Sequence, residues 1–323
     1  PDERLARVEK VYINIVSVLS RYERIHLLVN DEQLLDRVRD LFVMHRIDLN
    51  QIIFHVTTCN DVWARDFGPI FVRNAHAVGT TDEFAITNWG YNAWGGKYPP
   101  FDADNAIPKY LSEKYSVNRF DPDMILEGGS IETNGEGVML VTESVLLNPN
   151  RNPHLTKQEI EDRLKYWLGQ EKVIWLNRGL EGDDTDGHID DLSRFLNKNT
   201  IMTMISDDPD DINYEALNEN LEILKNSSDQ YGNPFNIVTL PMPTTLIQGT
   251  TVDGSEHVPA SYANFYIANG VVLLPLYDPR YDQQALNLFR AYFPDREVAG
   301  IDCRDLVWGQ GSIHCITQQM YQI

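Results

Sequence analysis

The chain has 323 residues, 42% of them hydrophobic, which is ample for a sizeable core. Its 27 Lys and Arg residues against 48 Asp and Glu residues give a net charge of −21, which argues against electrostatic binding of nucleic acid. Three cysteines are too few for a disulfide framework and predict a reducing, cytoplasmic location.

No apolar run approaches the roughly 20 residues that a membrane-spanning helix requires, so we expect no membrane partner. Residues 1–7 are charged and lack the apolar stretch of a secretory signal, although an upstream segment could have been removed. The acidic surface would attract a small cation, but acidity also serves solubility alone. The sequence leaves the oligomeric state open, and a homo-oligomer is possible.

The first predicted elements are two helices and two strands. Leu5, Val8, Ile15 and Leu19 recur at helical spacing and predict an additional packing helix. The pattern then predicts, in chain order, a strand over Ile25–Val29, a capping box at Asn30 and Gln33, a helix over Leu34–Phe42 and a strand over Ile52–Val56.

The rest of the chain repeats one pattern, in which a hairpin is followed by an amphipathic helix and a short strand. The first repeat has a hairpin at Pro69–Tyr91 and a helix near Ile107–Tyr115. The second has a hairpin over Gly128–Val141, a helix that begins at the capping box of Thr156 and Glu159, and a strand at Val173–Leu176. The third has a hairpin over Gly187–Met204, a helix over Tyr214–Leu224 and a strand at Ile237–Leu240, and the fourth has strands at Tyr262–Ile267 and Val271–Leu274, a helix over Gln283–Tyr292 and a strand at Val298–Ile301.

The last hairpin is incomplete, because Ser312–Gln318 predicts one strand shortly before the sequence ends. The N-terminal strand and helix complete it, which makes five ββαβ units, one assembled from both ends of the chain. Each unit is too small to bury its own apolar face. We therefore predict a single α/β domain over residues 1–323, in which the units close a ring without free sheet edges.

Polar residues of interest recur just before or at the start of the hairpins. Equivalent positions in a ring of equivalent units converge near its axis, so these side chains should share one pocket. They are Asp66 before Gly68-Pro69, Glu127 before Gly128-Gly129, His188 and Asp190 after Gly187, and Cys315 after Gly311.

These residue types suit the chemistry of a guanidinium. Carboxylates bind this flat cation through paired N–H donors, a thiolate attacks its central carbon, and a histidine moves protons to ammonia and from water. We expect no metal and no cofactor, since the chain has no H-E-x-x-H or paired C-x-x-C motif.

Each candidate residue also has a structural interpretation. Cys315 could be a buried structural thiol, His188 a core histidine and Asp66 a partner of Arg65. Trp63 and Trp94 could be core aromatics, although in an active site they would cover an aliphatic stem. We take His314 as a supporting residue, Cys59 and Cys303 as structural, and Asp207–Asp211 as a solvated loop rather than a calcium site.

Five motifs together resemble the agmatine deiminase family, which is allied to the bacterial peptidylarginine deiminases. They are Trp63–Pro69, Glu127–Ser130, Asn148–Pro153, Asp184–Asp190 and Ile313–Gln319. The resemblance implies the pentein fold, a five-bladed α/β propeller around a pseudo-fivefold axis. It further implies Cys315 as nucleophile and His188 as general acid and base.

The same resemblance implies that Asp66 and Asp190 grip the guanidinium, that Glu127 contacts it, and that Asp184 lies near the distal amine of the substrate. Agmatine deiminase is therefore the expected activity, with peptidylarginine or free-arginine deiminase as the alternative. A non-catalytic binding propeller is a remote third. Asp191 departs from the family, where Asn is common after His-x-Asp.

Overall fold

A computed structural model describes residues 2–243 and 257–321. Within these ranges the helices are α1 (Asp2–Leu19), α2 (Glu32–Met44), α3 (Ala64–Phe67), α4 (Ala93–Gly96), α5 (Asp102–Asn105), α6 (Ile107–Tyr115), α7 (Glu143–Leu146), α8 (Lys157–Leu168), α9 (Tyr214–Lys225) and α10 (Asp282–Tyr292). The strands are β1 (Ile25–Val29), β2 (Ile52–Val56), β3 (Ile70–Arg73), β4 (Phe84–Thr87), β5 (Asn118–Phe120), β6 (Ile131–Thr133), β7 (Val138–Thr142), β8 (Lys172–Leu176), β9 (Ser193–Asn197), β10 (Thr200–Ile205), β11 (Asn236–Pro241), β12 (Tyr266–Ala268), β13 (Val271–Leu276) and β14 (Glu297–Asp302).

The described strands form five separate sheets. Four have three strands, in the orders β3-β4-β5, β6-β7-β8, β9-β10-β11 and β12-β13-β14, and the fifth pairs β1 with β2. In each three-stranded sheet the middle strand runs antiparallel to the strand before it and parallel to the strand after it. The fold is thus mixed α/β with the expected hairpin–helix–strand order, and no ladder among the described strands joins the sheets into one closed sheet.

Local sequence determines where the helices begin and end. At α8 the predicted capping box is confirmed, because Thr156 Oγ1 accepts the Glu159 amide and Glu159 Oε2 accepts the Thr156 amide at 2.8 Å. Gly169 ends the helix with φ 64°, a left-handed conformation that glycine adopts without a Cβ penalty. Ile160 and Leu164, four residues apart, are the buried face of α8.

The predicted packing helix is α1, which buries Ile15 and Leu19 in the largest apolar cluster of the described chain. Leu5 was expected on the same face but is 56% exposed. The cluster also contains the buried residues Val271–Leu274 of β13, the middle strand of the fourth three-stranded sheet. No helix among the described residues is long and apolar enough to cross a membrane.

Two sequence predictions at element ends are wrong. The N-cap of α2 is Asp31 rather than Asn30, and it accepts the Leu34 amide at 2.7 Å. The Asn30 side chain instead accepts the Cys59 amide, which holds the loop after β2. The first strand of the fourth three-stranded sheet begins at Tyr266, not Tyr262, because the residues before it form a buried turn.

The predicted C-terminal strand Ser312–Gln318 is also wrong. This segment folds into turns, in which the Ile316 amide bonds to the Ser312 carbonyl and the Thr317 amide to the His314 carbonyl. The His314 amide is held by Asn264, through its backbone and side-chain oxygens. Because its donors are occupied in this way, the segment forms no ladder with a strand.

A histidine pair lies where β1 and β2 pack against α6. His26 Nδ1 is 2.9 Å from His55 Nε2, and His55 Nδ1 is 3.3 Å from the Tyr110 hydroxyl and 3.2 Å from Lys114 Nζ. Tyr115 also reaches His26 at 3.3 Å. Burial and the Lys114 charge lower the pKa of His55 to about 4, and the same causes, with Arg24, lower the pKa of His26.

This pair should make the fold acid-sensitive. The folded histidines stay neutral while unfolded ones bind protons at their ordinary pKa of about 6.5, so stability is lost as the pH falls from about 6.5 towards 4. Between pH 7 and 4.5 the free energy of unfolding, measured with urea, should fall by about 2 kcal/mol less in His55→Gln than in the wild type. The remaining fall is expected in both proteins, because burial also lowers the pKa of other histidines such as His188. His154 is exposed, so His154→Gln is the matched control. Equal pH dependence in wild type and His55→Gln would contradict this role.

Candidate active site

Four distant segments bring their polar side chains to one buried place. Asp66 lies on α3, Glu127 precedes the turn Gly128–Ser130, His188 and Asp190 lie at the turn before β9, and Cys315 lies in the C-terminal segment. Each is at most 6% exposed. These are the residues that the sequence predicted to converge.

The distances join these side chains into one cluster. His188 Nδ1 is 3.7 Å from Asp66 Oδ1 and 3.9 Å from Asp190 Oδ1. Cys315 Sγ is 3.8 Å from Asp190 Oδ2. Asp190 therefore lies within 4 Å of both the histidine and the sulfur.

The backbone between the sheets fixes this geometry. The Arg65 amide donates to the Cys315 carbonyl at 3.0 Å, which ties α3 to the C-terminal segment. The Gly129 amide donates to Asp66 Oδ1 at 2.9 Å. A Cβ at Gly129 would lie 2.5 Å from His188 Nδ1 and 2.7 Å from Asp66 Oδ1, so only glycine allows this approach.

Asn264 holds the sulfur, and sequence reasoning missed it. Its Nδ2 lies 3.0 Å from Cys315 Sγ and 3.0 Å from Asp191 Oδ1, while its Oδ1 accepts the amides of His314 and Cys315. Asn264 stands just before β12, where the other units carry their candidate residues. That positional equivalence is the signal that could have found it.

His314 and Arg65 lie beside the cluster and contact its residues or the segment that carries Cys315. His314 Nδ1 contacts Asp190 Oδ2 at 2.7 Å, as its interpretation as a supporting residue anticipated. Arg65 donates to the His314 carbonyl and to the side-chain oxygens of Gln318 and Gln319. The suggested pairing of Asp66 with Arg65 is therefore replaced by these contacts.

Glu127 is part of a buried ion-pair network. Its Oε1 accepts from Arg151 Nε at 2.5 Å, and Arg151 Nη1 reaches Asp186 at 2.7 Å. Asp184 lies further out, where its side chain bonds to the Tyr98 hydroxyl and its carbonyl accepts from Lys97. Asp184 is thus near the rim and is not among the residues that contact the sulfur.

The two tryptophans have different surroundings. Trp94 Nε1 donates to Asp66 Oδ2 at 3.0 Å from a backbone with φ 55°, a left-handed conformation that is unusual for a large residue. Trp63 packs beside the loop before Cys315, where a Cβ at Gly311 would lie 2.3 Å from its ring. Trp94 therefore orients a candidate carboxylate, and Trp63 supports the sulfur-bearing loop.

Three buried polar atoms in the site, two carboxylate oxygens and one imidazole nitrogen, have no hydrogen-bond partner among the described residues. They are Glu127 Oε2, His188 Nε2 and Asp190 Oδ1. Buried polar atoms are normally paired, so unpaired ones in one place indicate a ligand that brings donors. A guanidinium offers N–H donors in a fixed fork and no acceptor.

Burial dominates the electrostatics of the cluster. It raises the pKa of Asp66 well above its usual range, with Asp190 and Glu127 adding to the rise, and raises the pKa of Asp190 to about 7. Burial and the Arg151 charge lower the pKa of His188, so its imidazole is neutral. Burial, Asp190, Asp191 and Asp66 raise the pKa of the Cys315 thiol well above 9.

The free protein should therefore hold Cys315 as a thiol. We expect its alkylation by iodoacetamide, followed by peptide mass spectrometry, to be slow at neutral pH and to keep rising beyond pH 9. Cys59, whose pKa burial raises to about 11, serves as the internal comparison. An alkylation rate at Cys315 that levels off near pH 7 would contradict the description of this thiol.

Asp190, Asp191 and Cys315 each offer one potential metal-ligand atom within 4.8 Å of one another. The Asp190 oxygen nearest the sulfur is bonded to His314, and Asp191 Oδ1 is bonded to Asn264. A set of three with two oxygens already bound falls short of the usual zinc arrangements. We assign these residues no metal role.

A family model described as Porphyromonas-type peptidyl-arginine deiminase matches residues 1–320. The chain belongs to this deiminase family. The match spans every segment that carries a residue of the cluster, so the convergence described above occurs within the family's own sequence pattern.

Named relatives of this deiminase family are similar over nearly the whole chain. A Legionella pneumophila (strain Paris) protein provisionally named agmatine deiminase is 38% identical over 319 residues, which are 98% of this chain and 87% of that protein. The agmatine deiminase of Enterococcus faecalis has a TM-score of 0.86 at 32% identity, covering 97% of this chain and 87% of its own. A C. jejuni agmatine deiminase variant with substrate bound has a TM-score of 0.84 at 33% identity, with the same coverage.

Proposed function

We propose that this deiminase hydrolyses agmatine to N-carbamoylputrescine and ammonia through a covalent thiouronium on Cys315. The observation that carries the proposal is the meeting of a thiol, a neutral imidazole and buried carboxylates around unpaired polar atoms. Such a group has no packing purpose, because burying unpaired polar atoms and carboxylates costs stability. The agmatine deiminases among its relatives support the choice of substrate.

The guanidinium lies between Asp66 and Asp190, and its positive charge favours the ionised form of both carboxyl groups. His188 takes the thiol proton as the sulfur attacks the central carbon, forming the C–S bond. The same proton passes to the departing nitrogen, and the C–N bond breaks to release ammonia. Water then attacks the thiouronium, His188 takes a proton from it, and the C–S bond breaks to release the urea product.

The substrate itself makes the thiol acidic enough. Without a ligand, burial and then three nearby carboxyl groups oppose formation of the thiolate and raise the pKa of Cys315. A bound guanidinium places a positive charge beside the sulfur and cancels that opposition. Asn264 Nδ2, 3.0 Å from the sulfur, donates to the anion that forms.

The rim favours agmatine over an arginine substrate. An α-carboxylate needs a free cation. Arg151 is bound to Glu127 and Asp186, and Lys97 is bound to the same Asp186. Arg178 pairs with Glu219. Asp184, about one-fifth exposed, is an acceptor for a distal amine. We assign Asp184 this contact, with Trp63 and Trp94 lining the path of the alkyl chain.

Ammonia release from agmatine, free arginine and a peptide with C-terminal arginine separates these substrates. We expect agmatine to have the highest kcat/KM. A preference for either arginine compound by more than about tenfold would transfer the assignment to a peptidylarginine or free-arginine deiminase.

The third candidate, a binding propeller without catalysis, is tested by a thiol-reactive amidine. An intact-mass increase located at Cys315 supports the enzyme, whereas an unmodified Cys315 supports the binding protein. A binding module has no need of a thiol and a neutral histidine that both lie within 4 Å of one buried carboxyl group.

We further propose that residues 1–323 form one five-bladed propeller. A cavity of about 400 Å³ is lined by residues of β3, β6, β9 and β12, the first strand of each three-stranded sheet, and by Tyr321. In a propeller the first strand of each blade lies around the central axis, and these four first strands surround one cavity. The unpaired cysteines suit a cytoplasmic setting, and a homo-oligomer stays a prediction.

A further inference from the structure

The same axial cavity holds a buried positive charge that the proposed reaction does not use. Its charged and polar lining includes Arg65, Glu132, Arg194, Lys198, His314 and Gln319. Arg194 is neutralised, because its Nε lies 2.7 Å from Glu132 Oε2. Arg65 is the other arginine that lines the cavity, and the proposed reaction gives its charge no role.

Arg65 is 6% exposed, and its partners are neutral. Nε donates to the His314 carbonyl at 3.3 Å, and Nη1 donates to Gln318 Oε1 at 2.6 Å and Gln319 Oε1 at 2.8 Å. Nη2 is buried and has no hydrogen-bond partner within residues 2–243 and 257–321. A buried guanidinium whose hydrogen-bond partners are all neutral is costly, and structures normally place an anion in contact with it.

Neighbouring charged groups also affect how favourable the positive charge of Arg65 is. Burial and the neighbouring charge of Arg194 lower the pKa of Arg65, and the opposing charges of Asp190 and Glu132 only partly offset them, so the position disfavours the cation. The nearest acidic charge in the cavity, Glu132, is already occupied by Arg194 and by the Phe195 amide. An anion placed beside Nη2 would displace no ion pair of Arg65, because the described residues form none with it.

We propose that this cavity binds a small monovalent anion, a halide or a carboxylate, with Arg65 as its principal partner. A volume of about 400 Å³ accommodates such an ion together with water. The occupant is distinct from the cationic substrate, because the charge of Arg65 would repel a guanidinium.

The bound anion would steady the segment that carries the nucleophile. Arg65 donates its backbone amide to the Cys315 carbonyl and its side chain to the His314 carbonyl. Fixing the guanidinium therefore fixes both attachments. A ligand that binds the folded chain raises its melting temperature in proportion to the logarithm of its concentration.

Gln319→Glu is the sharpest test, because the exposed Gln319 side chain already accepts from Arg65 Nη1 and the variant supplies an internal carboxylate. We expect bromide and formate, at constant ionic strength, to raise the melting temperature of the wild type. The variant should start at a higher melting temperature and respond little. Lys198→Gln, at an exposed position of the same cavity, should respond as the wild type does.

Bromide-soaked crystals locate the ion directly. An anomalous peak beside the Arg65 guanidinium in the wild type, lost in Gln319→Glu, is the expected result. Absence of that peak, or equal stabilisation of the wild type and Gln319→Glu by the anions, overturns the proposal. Neither readout depends on deiminase activity, so the outcome is independent of the proposed reaction.

Discussion

Replacing Cys315 with Ala should abolish ammonia release from agmatine, with a loss of at least about 10⁴-fold in kcat. The thiol provides the bond that divides the hydrolysis into two steps, and no nearby side chain can replace it. Asn264 and Asp190 contact the sulfur but are not nucleophiles for a resonance-stabilised cation. Binding should persist, because the guanidinium is held by carboxylates that the variant leaves in place.

Calorimetry with agmatine checks that persistence, and Cys59→Ala is the matched control. Cys59 is a half-buried cysteine in the loop after β2 and has no part in the cluster. Its variant should keep wild-type turnover. Measurable turnover in Cys315→Ala would remove Cys315 from the role of nucleophile, whatever the binding result.

Asp190→Asn should lower kcat/KM for agmatine by roughly a thousandfold, since losing one partner of a buried charge pair costs about 3–5 kcal/mol. The wild-type kcat/KM should rise with pH through about 7 as Asp190 ionises, because burial raises the pKa of this carboxyl to about 7. The variant should lack that rise. A pH–rate profile of each protein makes the comparison.

Asp191→Asn is the neighbouring control. Burial and Asp190 raise the pKa of Asp191 well above its usual range, which disfavours its charged form, and an amide oxygen can accept from Asn264 in its place. Asparagine is also common at this position in the family that the motifs resemble. Activity within about threefold of wild type is expected. If Asp190→Asn lowers kcat/KM no more than Asp191→Asn does, the proposal that Asp190 binds the guanidinium is contradicted.

The sequence predicts most of the repeating elements because periodicity and capping are local. Thr156 and Glu159 mark the start of α8, and the turn at Asn134–Gly137 lies between β6 and β7. The C-terminal segment is mispredicted because its alternation imitates a strand. Its backbone is instead held by Asn264, fifty positions earlier in the chain, and no local pattern encodes that contact.

The candidate site is predictable to a similar extent. Asp66, Glu127, His188, Asp190 and Cys315 are identifiable because they occupy equivalent places in successive units. The sequence could not show which contacts, and therefore which role, each of these side chains has. That Glu127 is held by Arg151 and that Asp190 lies next to both His188 and Cys315 depends on three-dimensional distances.

The most direct test is the mass of the covalent intermediate. Wild-type protein turning over agmatine is quenched in acid within milliseconds, digested and analysed by tandem mass spectrometry. The thiouronium predicts a Cys315 peptide that is heavier by agmatine less one ammonia, with Cys59 and Cys303 unmodified. A Cys315 peptide without any adduct during steady turnover, or an adduct on another residue, would contradict covalent catalysis at this sulfur.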